Sequence, residues 1–264
     1  MEYLKDKLVF ITGASSGIGA SCAEAFARRG ARLLLCARRE ARLHTLADRL
    51  HTTYGTAVHP VLLDVREAAR VEQTLAALPA PWQAIDVLVN NAGLALSRAK
   101  THEHTLEDID AMIDTNVKGL LYVTRAVVPG MVARGSGHVV NIGSTAGHEV
   151  YPGGTVYSAS KHAVDAITKG LKMDLLGTPV RVSTVDPGLV ETEFSVVRFY
   201  GDEARAQAVY AGIQPLTPDD VADAVVYCAS RPPHVNINEI VMMPVAQSSS
   251  LLVHREKTAS ENMT

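Results

Sequence analysis

Tyr157 and Lys161 stand four residues apart in Tyr157-Ser158-Ala159-Ser160-Lys161, a spacing that puts both on one face of a helix. A phenol with an ordinary pKa near ~10 is a poor base at neutral pH. An ammonium beside it favours the phenolate and brings it within working range. A tyrosine so placed can take a proton from an alcohol or return one to a carbonyl oxygen. Ser144, in Gly143-Ser144-Thr145-Ala146-Gly147, offers a hydroxyl to the same oxygen, through a bond that strengthens as charge develops there. Singly, such residues are commonplace on helices and in turns; their significance lies in occurring together with a cofactor signature.

That signature is Thr12-Gly13-Ala14-Ser15-Ser16-Gly17-Ile18-Gly19, at the passage from the first apolar run into the first helical pattern. Glycines there allow a tight turn and close approach of the backbone to a pyrophosphate, which the following helix N-terminus favours. The second apolar run ends in Cys36-Ala37-Arg38-Arg39, with no acid before Glu40. An acid at this place reads a ribose 2′-hydroxyl, whereas arginine accommodates a 2′-phosphate. Arg38 and Arg39 therefore point to NADP(H), the plainer alternative being the solvated start of a helix. Asp64 and Val65 close the third run and Asn91, Ala92 and Gly93 the fourth. Turn residues at successive strand ends form a wall for the adenine and nicotinamide halves, with Asp64 placed to accept from the adenine amino group.

The elements that must hold these residues alternate. Apolar runs at 7–12, 32–36, 57–63, 87–90, 138–142, 181–186 and 239–242 lack a polar face, as strands covered on both sides do. Amphipathic stretches at 17–29, 39–54, 67–78 and 158–176 lie between them. The expectation is an α/β fold: one Rossmann domain over residues 1–264, with a doubly wound seven-stranded parallel sheet and helices on both faces. Residues 188–215 break the rhythm beyond a strand end and are expected to form a substrate lid. Residues 248–264 read as a polar tail, frayed or used between subunits.

Composition excludes other classes. The 264 residues are 47% hydrophobic and 20% charged, with a formal net charge of -3, so nucleic-acid binding has no electrostatic footprint. Cys22, Cys36 and Cys228 show neither disulfide nor zinc spacing and read as buried thiols in a reducing compartment. No leader precedes Leu8, and charges interrupt the apolar stretch 117–133, so a soluble, cytoplasmic protein without a membrane span is expected. The ten histidines show no metal-ligand spacing; no metal site is expected, and His102 and His104 read as solvated.

Thr12–Gly19 (with three residues between Gly13 and Gly17), Asn90–Gly93, Asn116, Ser144, Tyr157-x-x-x-Lys161 and Pro187-Gly188 together resemble the short-chain dehydrogenase/reductase family over about residues 7–246. Gly143 is a small departure, since many members carry a second serine there. The resemblance implies that Asn116 holds a water in a proton relay from Tyr157 through the ribose and Lys161. Lys161 would also bind the nicotinamide ribose, and Pro187, Gly188 and Thr192 would contact the nicotinamide end. It also implies a homotetramer formed through helices near 103–134 and 155–176. Segments 91–96, 112–116, 141–147, 193–199 and 234–238, with Met242-Met243-Pro244-Val245, are similar to bacterial NADP-dependent 3-hydroxy acid dehydrogenases acting on L-allo-threonine and L-serine. A carboxylate substrate needs a cation, and arginine binds carboxylates in bidentate fashion. Arg198 in the lid is the nominee, against the alternative that it pairs with Asp202 or Glu203 at the surface; Lys100 and His148 are weaker candidates. Two other readings stand beside this one: a broad carbonyl or 3-oxoacyl reductase, and a non-catalytic NADP-binding regulator.

Overall fold

In the first strand, β1 (Leu8–Thr12), Val9 and Ile11 face one core while Leu8 and Phe10 face another. This two-sided burial is why the run lacks a polar face. The computed structural model describes residues 2–256; part of the expected tail, 257–264, lies outside the described residues. The other strands are β2 (Arg32–Ala37), β3 (Val58–Leu62), β4 (Val87–Asn90), β5 (Gly137–Ile142), β6 (Val180–Pro187) and β7 (Glu239–Met242). All pair in parallel, in the order β3-β2-β1-β4-β5-β6-β7. The helices are α1 (Gly17–Ala27), α2 (Glu40–Tyr54), α3 (Ala68–Ala76), α4 (Leu106–Ile113), α5 (Leu120–Arg134), α6 (Thr155–Asp174), α7 (Glu193–Arg198), α8 (Glu203–Ala208) and α9 (Pro218–Ala229). Phe26 of α1, Leu43 and Leu50 of α2 and Val225 of α9 cover one face of the sheet. Val71 of α3 and Val123, Val127 and Met131 of α5 cover the other. Each fully buried side chain of this size contributes about 1.5–3 kcal/mol. The expected doubly wound Rossmann sheet is therefore the fold.

Strand boundaries match the sequence reading within a residue or so. Helix α6 starts at Thr155 rather than Ser158, because the turn through Pro152 and Gly153 ends at its cap Gly154. Cys22, Cys36 and Cys228 are buried, and burial pushes their thiols up to about 12, 12 and 11. They are unreactive at neutral pH. No helix among the described residues is long and apolar enough to cross a membrane.

Residues 188–215 carry α7 and α8, joined by a turn in which Tyr200 adopts φ 54° and Gly201 φ 92°. Two expectations need revision. The tail is neither frayed nor detached over 248–256: Ser248 and Leu252 pair, His254 N donates to Ala246 O at 2.8 Å, and Glu256 N donates to Gly212 O at 2.9 Å. These bonds fasten it beneath the lid. His104 is not solvated, since both its ring nitrogens are buried.

Candidate active site

The sheet order reverses between β1 and β4, which opens a crevice at their carboxyl ends. Thr12 Oγ1 accepts from the backbone N–H groups of Asn91 and Ala92 at 3.1 and 3.0 Å. Asn91 Nδ2 donates to Thr12 O at 2.9 Å and Gly13 O at 3.2 Å. These bonds lock the glycine turn against the end of β4. Gly13 has φ +66°, and a β-carbon on it would lie 2.9 Å from Ala92 Cα, so only glycine fits. One cavity of about 900 Å³ runs from this turn to α7. It is lined by the sequence-predicted Gly13, Ser15, Ser16, Gly17, Ile18, Arg38, Arg39, Asp64, Val65, Asn91, Ala92, Gly93, Ser144, Tyr157, Lys161, Pro187, Gly188, Thr192 and Arg198.

Gly19 and Asn116 are not among the lining residues. Gly19 is buried under the turn. Asn116 is 2% exposed and sits in a π-helical turn, Asp114–Gly119, between α4 and α5. Its side chain accepts from Leu94 N at 2.8 Å and donates to Leu94 O at 2.8 Å and Ser160 Oγ at 3.0 Å. The amide thus fastens the β4 loop to α6, and its bonding capacity is largely used. Asp64 lies at the cavity wall beside Arg66. Burial would raise its pKa, but hydrogen bonds from Arg66 win and hold it below the usual carboxylate range. Arg66 Nε reaches both carboxylate oxygens at 3.0 Å, which anchors the carboxylate at the cavity wall.

At the reaction end, Tyr157 and Lys161 share one face of α6, as their spacing predicts. The sequence reading has Lys161, together with the positive nicotinamide, favour the Tyr157 phenolate. Lys161 Nζ donates to Ile142 O at 2.8 Å and lies 5.9 Å from the Tyr157 ring centre. Burial pushes its pKa down to about 8, with Asp186 pulling the other way. Burial also raises the pKa of Tyr157, while the Arg198 charge and a Ser144 hydrogen bond hold it down. Arg198 Cζ stands 5.1 Å from the Tyr157 ring centre. Arg198, the last residue of α7, is thus a cation that holds this phenol's pKa down.

Arg198 does not pair with Asp202 or Glu203. Asp202 caps α8 by accepting from Arg205 N at 3.0 Å, and Arg198 forms no ion pair among the described residues. Its Nη2 donates to Tyr151 Oη at 2.7 Å, and its Nε is buried without a partner. Phe194 packs edge-on against Tyr157 at 5.6 Å, completing an aromatic collar around the guanidinium.

Sequence reasoning missed several wall residues. Arg98 stacks over Tyr151 at 5.5 Å and lines the cavity with it. From the tail, Leu251, Val253 and Arg255 also line it. Gln247 accepts from Leu189 N at 2.9 Å, fixing the loop after β6. None sits in a motif or an amphipathic period; only the lid's position could have hinted that distant segments must close it.

Behind Ser144 lies a second group the sequence did not announce. Asp186 Oδ1 accepts from Ser144 N at 3.1 Å and Thr184 Oγ1 at 2.9 Å. His148 Nε2 lies 3.5 Å from Asp186 Oδ2 and 3.2 Å from Glu239 Oε1. Burial raises the Asp186 pKa to about 6. A β-carbon on Gly143 would fall 1.6 Å from Asp186 Oδ1. The departure at position 143 is therefore structural: the space of a second serine's side chain is occupied by this carboxylate.

A glycine turn at a helix N-terminus, an exposed arginine at the end of β2 and a serine–tyrosine–lysine cluster line one cavity. Residues 7–200 match the model of the short chain dehydrogenase family, and the chain belongs to that family. It is 49% identical over 251 residues to an NADP-dependent 3-hydroxy acid dehydrogenase of Escherichia coli K12, covering 94% of this chain and 100% of that protein. It is 45% identical over 251 residues to sulfoacetaldehyde reductase 2 of Chromohalobacter salexigens, covering 94% and 99%. A solved closed form of serine dehydrogenase complexed with NADP⁺ superposes with a TM-score of 0.88 at 49% identity, covering 94% of this chain and 100% of that one.

Proposed function

We propose that this chain is an NADP-dependent dehydrogenase that moves a hydride between the nicotinamide and the 3-hydroxyl or 3-oxo carbon of small 3-hydroxy acids such as serine, allo-threonine and 3-hydroxyisobutyrate. The observation that carries the substrate class is Arg198: a guanidinium beside the reactive tyrosine, with no carboxylate partner among the described residues and an unpartnered, buried Nε. Both relatives named above have substrates bearing an anionic group, which supports the same reading.

The residues present fit NADP. Gly13 permits the backbone contact a pyrophosphate needs, and Arg38 presents an exposed guanidinium at the end of β2. Bound NADP supplies or accepts the hydride. Tyr157 moves the proton at the substrate oxygen, Ser144 hydrogen-bonds that oxygen, and Lys161 donates to the nicotinamide ribose. Asn116 holds the β4 loop and α6 in register for this set and, in the family's pattern, positions a relay water. Residues 188–215, with α7 and α8, act as the lid. The protein is read as a cytoplasmic homotetramer; Leu106, Leu121 and Met173, exposed on α4, α5 and α6, supply apolar surface for the subunit contacts.

Initial rates with NADP⁺ on L-serine, L-allo-threonine and 3-hydroxyisobutyrate, each beside its methyl ester, test this. Preference for the free acids supports a carboxylate-reading pocket. Faster turnover of the esters would transfer the assignment to a broad carbonyl reductase, for which the apolar walls Phe194, Leu251 and Val253 speak. NADP binding without turnover of any alcohol or carbonyl would indicate a regulator.

A further inference from the structure

The sequence gives Arg38 and Arg39 the same duty; their surroundings separate them. Arg39 has all three of its nitrogens engaged inside the protein: Nε donates to Ser15 Oγ at 3.1 Å, Nη2 to Ser16 Oγ at 2.5 Å, and Nη1 to Glu193 Oε2 at 3.0 Å. Arg42 Nη1 meets both oxygens of the same carboxylate, at 2.8 and 2.6 Å. Glu193 is the first residue of α7, just after the cap Thr192. Its carboxylate therefore joins the lid to the glycine turn and to α2, across the mouth of the cofactor crevice. The two guanidiniums hold the Glu193 pKa below the usual carboxylate range. Arg38 is differently placed. Among the described residues its one acidic neighbour within 4 Å, Asp64, stands 3.9 Å away and is already bound by Arg66. The Arg38 side chain is 57% exposed, leaving its fork available.

Building on the NADP reading above, we infer that Glu193 is a positioning residue that clasps the lid over the bound cofactor through Arg39 and Arg42, while Arg38 alone reads the 2′-phosphate. Selectivity and retention are then separable. None of the clasp's contacts involves Arg38, so the clasp slows departure of both cofactors equally. The phosphate distinguishes them only at Arg38, where a planar fork meets a dianion. Each ion pair of the clasp is exposed and individually weak, so its loss has a small effect, about 1.5- to 5-fold in a rate.

Stopped-flow displacement of bound NADPH and NADH from the full-length protein, followed by nicotinamide fluorescence, tests the inference without turnover. Glu193→Gln and Arg42→Gln should each release both cofactors about 1.5- to 5-fold faster, leaving the NADPH-to-NADH affinity ratio unchanged. Glu193→Asp should recover part of the retention. Arg38→Ala should instead collapse the affinity ratio. The lid of Glu193→Gln should also be cut faster by protease in the presence of NADPH. Unchanged release in both clasp variants would overturn the inference, as would a change confined to NADPH, which would place Glu193 in the phosphate site. Wild-type protein that binds neither cofactor would overturn the NADP reading itself; normal binding with unaltered release overturns the clasp alone.

Discussion

Consider replacing Arg198 with methionine, which keeps an unbranched apolar stem against Phe194 and Tyr157 and removes the charge. In the native site Tyr151 occupies one N–H of Nη2, while Nε has no partner. Enough donors remain for one bidentate carboxylate contact. A hydrogen bond to a charged group contributes about 1.5–3 kcal/mol, which converts to a loss of about 10- to 150-fold in kcat/KM. The substitution acts on Tyr157 as well, because the Arg198 charge helps to hold that phenol's pKa down. Without it the pKa rises, and this second loss falls on every substrate alike. The two effects separate in one assay: kcat/KM of wild type and Arg198→Met on 3-hydroxyisobutyrate and on its methyl ester, from pH 7 to 10. The acid should lose about 10- to 150-fold more than the ester, and the rising limb of both profiles should move to higher pH. Equal losses on acid and ester would refute the carboxylate assignment and leave Arg198 only its effect on Tyr157.

Tyr157→Phe should lower kcat by about 10²- to 10⁴-fold while NADPH still binds, as measured by fluorescence titration. Gly143→Ala forces a β-carbon onto Asp186 Oδ1; overpacking of this kind costs about 1–3 kcal/mol, read as a lower urea midpoint. His138 is buried beside Ser183, and burial, aided by the Arg181 charge, pushes its pKa down to about 3. The unfolded chain binds this proton near pH 6.5 and the folded chain does not, so the contribution is complete above 6.5 and is lost as pH falls toward 3. His138→Gln should flatten that dependence by up to about 1.4 kcal/mol per pH unit; parallel urea-unfolding curves for both proteins from pH 7 to 4.5 would contradict it.

The sheet and the glycine turn were legible because local rules write them: two-sided strands exclude polar residues, and Gly13 answers a backbone conformation no other residue adopts at ease. Tyr157 and Lys161 were legible through helical spacing. What Lys161 points at was not, since its bond to Ile142 O depends on how α6 settles on β5. Arg98, Gln247 and the tail residues 251–255 were illegible for a different reason. They meet the cavity only after segments distant in sequence have packed, and nothing local marks them. The group His148, Asp186 and Glu239 is of the same kind, spread over three elements with no repeating interval.

The contact between Gly143 and Asp186 bears on how such chains diverge. Neither position is free to drift by itself: a side chain at 143 overpacks the fold while the carboxylate stays, and the carboxylate fills its space only because 143 is bare. Relatives that carry a serine before the catalytic one must therefore have changed residue 186, or its direction, in the same lineage. The two sites should covary across descendants as a single inherited unit, 43 residues apart in the chain and adjacent in space.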